Sequence, residues 1–108
     1  MTLVDLYRDS KSHEIVGFKV DGHAGFAEYG QDIVCAAISV LTINTVNSIE
    51  EFTQDKFELK TDEDAGLIEI RLSSLSNESK VLLQSFALGI NSIAQGNDGY
   101  LLINIKEV

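Results

Sequence analysis

The sequence predicts an α+β two-layer sandwich in the order ββαββαβ, with two helices packed on one face of a five-stranded sheet. Three observations carry this. Five short segments alternate apolar and polar residues with the strand period of two. Two longer segments repeat their apolar residues with the helical period. The breaks between them are built from Gly, Asn, Asp and Ser, with no linker-like stretch, so residues 1–108 read as a single domain.

The first strand reads Thr2 to Arg8, with Val4 and Leu6 on one face and Leu3, Asp5 and Tyr7 on the other. Asp9-Ser10-Lys11-Ser12 makes a hairpin turn. The second strand, Glu14 to Asp21, turns Val16, Phe18 and Val20 one way, and His13 opens it as a solvated side chain. A long helix from Asp32 to about Phe52 carries the stripe Val34, Ile38, Leu41, Thr45, Ile49 and Phe52. A second apolar set, Ile33, Ala36, Ala37, Val40 and Ile43, predicts that its first half is buried on more than one side. Lys56 to Thr61 and Leu67 to Ser73 form a hairpin around Asp62-Glu63-Asp64, an acidic turn without calcium-loop spacing. A second helix, about Glu78 to Gln95, has Ser76 or Asn77 as its cap, Leu82, Phe86, Ile90 and Ile93 as its stripe, and Gly89 for close packing. Tyr100 to Lys106 returns as the last strand, with Leu101, Ile103 and Ile105 on one face. Alternation leaves the strand order open.

The net charge of −9 makes duplex nucleic acid a poor partner and a basic protein a better one. The chain has no run of 18 apolar residues and no signal-peptide pattern, which argues against membrane insertion and secretion. A single cysteine forms no intramolecular disulfide, so a reducing, cytoplasmic setting is expected. No recognisable metal-ligand spacing occurs, and no cofactor is expected.

Chemistry concentrates between Gly22 and Ser39. His23 leaves the end of a strand, and Cys35 enters what reads as the first turn of the long helix, capped by Gln31 or Asp32. A loop between them could fold back to form a Cys/His pair, with helix-start N–H groups favouring a thiolate. Asp32 opposes that charge unless it faces away. The plainer alternative makes Cys35 a small buried hydrophobe. Ser39 lies one turn after Cys35 on the same face, where it either orients a group near the thiol or bonds back to the Cys35 carbonyl.

The segments Gly22-His23-Ala24-Gly25 and Asp32-Ile33-Val34-Cys35-Ala36-Ala37-Ile38-Ser39 closely resemble the ribosomal-processing cysteine protease family Prp. The element order, the length and the single cysteine fit that resemblance over essentially the whole chain. It implies a cytoplasmic, homodimeric endopeptidase that removes the N-terminal extension of a large-subunit ribosomal protein. It makes His23 the general base and Cys35 the nucleophile of a dyad, with Asp32 and Ser39 as further motif positions. It also makes the segment Ala24 to Gln31 a substrate loop, in which Gly25 and Gly30 supply backbone freedom and Phe26 and Tyr29 close over an apolar substrate side chain. Two rivals remain at this stage: a non-enzymatic acidic module that binds a basic ribosomal protein, and acyl transfer through the same thiol.

Overall fold

The computed structural model describes residues 1–22 and 29–108, and of residues 29–32 the backbone alone. The elements are β1 (Thr2–Arg8), β2 (Ile15–Asp21), α1 (Tyr29–Phe52), β3 (Phe57–Asp62), β4 (Leu67–Leu72), α2 (Asn77–Ala94) and β5 (Leu101–Glu107). This is the expected ββαββαβ order. The strands form one mixed sheet in the order β3-β4-β2-β1-β5. The two hairpins supply antiparallel pairs, β2 joins β4 antiparallel, and β5 lies parallel to β1 with Thr2 opposite Leu101.

Register explains which residues are covered. One row across the sheet is Leu59, Ile70, Phe18, Leu6 and Ile105. Its three central members are buried, whereas Leu59 and Ile105 on the edge strands are exposed. Two helices are too narrow to roof five strands, so Ile105 does not join the core as its alternation predicts. The next row, Thr61, Ile68, Val20, Val4 and Ile103, places Val20 and Val4 in the same core. Phe86 of α2 stacks on Phe18, with ring centroids 3.8 Å apart.

Both helices depart in detail from their sequence reading. In α1, Val34, Ile38, Thr42, Thr45, Val46 and Ile49 are buried, but Phe52 is 71% exposed because the helix outruns the layer beneath it. The second apolar set faces outward: Ile33 is 53%, Val40 70% and Ile43 50% exposed, so this face is uncovered in the single chain. Over Ile33–Phe52, α1 is long and apolar enough to cross a bilayer by length and composition alone, a test that the core helix of a globular domain also passes. In α2 the stripe centres on Ser79, Leu83, Phe86 and Ile90, with Leu82 and Ile93 at its margins. Gly89 packs on α1, where a Cβ would lie 2.8 Å from a Leu41 methyl.

The opposite face of the sheet is not simply wet. Asp5 is buried between Lys19 and Lys106, with Oδ2 3.7 and 3.4 Å from their Nζ atoms. Tyr7 stands opposite Gly17, and its hydroxyl donates to Glu69 one strand further on. Its ring therefore crosses β2 where Gly17 has no side chain, and Arg71 lies 5.8 Å from the ring centre. Burial, then the bond to Glu69 and that group's charge, push the Tyr7 phenol well above its usual range. His13 is exposed in the β1–β2 turn with φ 64°, not at the start of a strand. That turn is held by Asp9, whose Oδ1 accepts from the backbone N–H groups of Lys11 and Ser12.

The seat of α2 is a carboxylate. Asp55 accepts bonds from the hydroxyls of Ser74, Ser76 and Ser79 and from the Ser76 N–H, and Ser76 caps the helix through Ser79 N–H. Burial disfavours the Asp55 charge, but the bonds from Ser76, Ser79 and Ser74 outweigh it and hold the pKa at about 2. A lowered pKa contributes stability above the unfolded value of 3.8 that is lost as pH falls toward about 2. Asp55→Asn is therefore expected to cost about 1–2 kcal/mol at neutral pH, after discounting for partial exposure. Urea melts against pH check this: the gap between wild type and variant should close as pH falls from about 4 to about 2.

Candidate active site

Cys35 lies in α1 six residues beyond Tyr29, not in the first turn. The helix starts three residues before Asp32, so Tyr29, Gly30 and Gln31 are helical and neither Gln31 nor Asp32 caps it. At about 1.5 Å per residue, Cys35 stands roughly 9 Å along the axis from the helix start. The field of a helix terminus fades within one turn, so it contributes less at the thiol than the sequence implied.

What orients Cys35 is packing. Val34 and Ile38 are buried in the core, and Cys35, half-buried, shares their turns at the border of the buried face. There it lines a groove of about 310 Å³. One wall is α1, with Cys35, Ile38, Ser39, Thr42 and Ile43. The other is formed by Val20 and Gly22 of the β2 end, by Thr61, Asp62 and Glu63, and by Gly66, Leu67 and Ile68, with Thr2 also in the lining. A smaller depression lined by Ile43, Val46, Asn47, Leu59, Thr61 and Ile68 extends it along α1.

Gly22 is pinned from two sides. Its N–H donates to the Gly66 carbonyl at 3.1 Å, and a Cβ on it would lie 2.4 Å from Thr2 Oγ1 and 2.8 Å from Thr2 Cβ. Glycine is needed here for space. Gly66 has φ 66° in a turn where Asp62 Oδ1 accepts from the N–H groups of Asp64 and Ala65. The acidic turn is thus a self-bonded wall of the groove as well as a solvated loop.

Of the residues singled out in the sequence, Cys35, Ser39 and Gly22 meet at the groove. Ser39 is exposed, and among the described residues its hydroxyl makes no back-bond to the Cys35 carbonyl, unlike those of Thr42, Thr45 and Thr53 four residues after their acceptors. His23, Gly25 and Phe26 lie outside the described residues. Tyr29, Gly30 and Asp32 are known here only as helical backbone. Thr2 was missed. Its Oγ1 is 3.8 Å from Cys35 Sγ, across 33 positions of sequence. The available signal was a polar residue in register with Val4 and Leu6 on the covered face.

A sequence model for the family described as cysteine protease Prp matches residues 1–101. The ribosomal processing cysteine protease Prp of Staphylococcus aureus is 32% identical over 88 residues, covering 81% of this chain and 83% of its own. Two crystal structures of an essential ribosomal processing protease Prp from S. aureus are also similar. One is in complex with a substrate peptide (TM-score 0.89) and one with a covalently linked product peptide (TM-score 0.86). Each is 28% identical and covers 98% of this chain and all of the matched chain.

Gly22→Ala should lower peptide turnover at least about tenfold, since a Cβ must displace the Thr2 side chain beside the thiol. Steady-state kinetics and a thermal melt on the same sample check this, with turnover expected to suffer far more than the melting temperature.

Proposed function

The chain belongs to the cysteine protease Prp family, and on that premise we propose that it removes the N-terminal extension of a large-subunit ribosomal protein, with Cys35 as nucleophile and His23 as general base. As a cysteine protease it is an enzyme, so the non-enzymatic docking module falls away. The observation that carries the site is the groove in which Cys35 faces Gly22, because His23 is the residue bonded directly to Gly22. The S. aureus structure with a covalently linked product peptide supports a covalent route over a directly activated water.

In that route the Cys35 sulfur attacks the scissile carbonyl as His23 takes the thiol proton. The carbon–nitrogen bond then breaks and His23 returns the proton to the leaving amine. The extension is left as a thioester, and water, deprotonated by His23, hydrolyses it to a carboxylate and the free thiol. The apolar lining from Ile38, Ile43, Leu67 and Ile68 suits apolar substrate side chains, and Asp62 and Glu63 suit a basic protein. Phe26 and Tyr29 are proposed to close over the substrate from the segment that precedes and opens α1. The single cysteine supports a cytoplasmic setting.

We also propose a homodimer. Ile33, Ala36, Ala37, Val40 and Ile43 leave an apolar face of α1 uncovered in one chain, an extent of exposed apolar surface that usually marks an interface. Sedimentation at micromolar concentration should give twice the 11.8 kDa chain mass. A monomer throughout would refute the dimer.

The test of function is incubation with the N-terminally extended ribosomal protein, followed by intact-mass measurement. Wild type should remove the extension and Cys35→Ala should not, while remaining folded at a cost of about 1–2 kcal/mol. His23→Ala should slow cleavage at least about a hundredfold. Cleavage by Cys35→Ala near the wild-type rate would end the assignment.

A further inference from the structure

We propose that Thr2 is a positioning residue for the Cys35 sulfur, its hydroxyl hydrogen-bonding the sulfur and holding its direction. The inference deepens the proposed protease site and rests on Cys35 being its nucleophile.

Thr2 is 3% exposed, and among the described residues the partner of its hydroxyl is Cys35 Sγ at 3.8 Å. A buried hydroxyl without a partner is costly, so this contact is the one that satisfies it. The residue cannot drift. Its N–H donates to the Tyr100 carbonyl at 2.9 Å, and it is the first rung of the parallel β1–β5 pairing. Its side chain fills the space that Gly22 leaves open, with no room for even one more carbon. A β-branched side chain held on both sides keeps a single χ1. Thr2 therefore spaces the sulfur from the backbone position immediately before His23.

The surroundings give the hydroxyl something to do. Asp62 and Glu63 line the groove from the β3 end and the turn after it, and both are acidic, so neither offers the sulfur a donor. Asp32 lies on the same helix, three residues before the thiol. The described lining residues from β1, β2 and β4, namely Thr2, Val20, Leu67 and Ile68, carry no charge. The start of α1 is too far off to act strongly. Thr2 is then the described side chain with a donor within hydrogen-bond distance of the sulfur, and in the thiol form either atom of the pair can donate.

The experiment is the rate of Cys35 alkylation by iodoacetamide against pH, in wild type, Thr2→Val, Thr2→Ser and Thr2→Ala, with a thermal melt of each. Valine keeps the shape without the hydroxyl, and serine keeps the hydroxyl. Thr2→Val should slow Cys35 alkylation about three- to tenfold at neutral pH. It should lower kcat with KM within about twofold, whereas Thr2→Ser should stay near wild type. A Thr2→Val profile superimposed on wild type would overturn the proposal. If Thr2→Val does not fold, serine and alanine decide: profiles that coincide with each other, away from wild type, would overturn it. Slowed Thr2→Val alkylation without cleavage of the ribosomal protein would sustain the Thr2 role while removing the proposed substrate. Undisturbed cleavage and alkylation in Thr2→Val would do the reverse.

Discussion

The burial of Val34 and Ile38 in the core that the helices share with the sheet is the constraint on which the described site depends. These two residues fix the rotation of α1 about its axis, and that rotation places the intervening Cys35 at the edge of the buried face. Slightly further in, the thiol would be an inert core group. Slightly further out, it would leave Thr2 and the groove. The long buried run down to Ile49 keeps this setting by spreading it over four turns of helix. That is a more rigid mount than a loop could supply.

The other half of the groove comes from the sheet. Because β1 is flanked by β2 on one side and β5 on the other, Thr2 is held beside the end of β2, and the β3–β4 turn reaches Gly22 through the Gly66 carbonyl. Three segments distant in sequence thus converge on the residue before His23. On the far face, the Asp5 pair of lysines and the Tyr7–Glu69–Arg71 set tie four strands together without any part in the groove. The division of labour follows from register: odd-numbered residues of β1 build that face, and even-numbered residues meet the helices.

Much of this was legible in the sequence, for identifiable reasons. Alternation in five segments and the helical repeat in two fixed the element order, since those patterns are local. Strand order was not legible, because the parallel β1–β5 pair joins residues about a hundred positions apart and leaves no local mark. Phe52 and Ile105 kept their period but lost their cover, since a pattern does not record where the opposite layer ends. The motif around Cys35 located the thiol, but it misplaced the helix start by three residues because Tyr29-Gly30-Gln31 carries no stop or cap signal strong enough to decide. Thr2 was invisible as a site residue because its meaning comes from a neighbour 33 positions away.

The central claim is that Cys35 performs the bond-breaking chemistry, and the chain's single cysteine makes a direct measurement straightforward. Methyl methanethiosulfonate caps a thiol with one small group and is removed by reductant. Intact mass gives the capped fraction, and cleavage of the extended ribosomal protein is measured on the same samples. Activity should fall in proportion to capping, vanish when every Cys35 is capped, and return on reduction. Fully capped protein that cleaves as fast as the free enzyme would contradict the account.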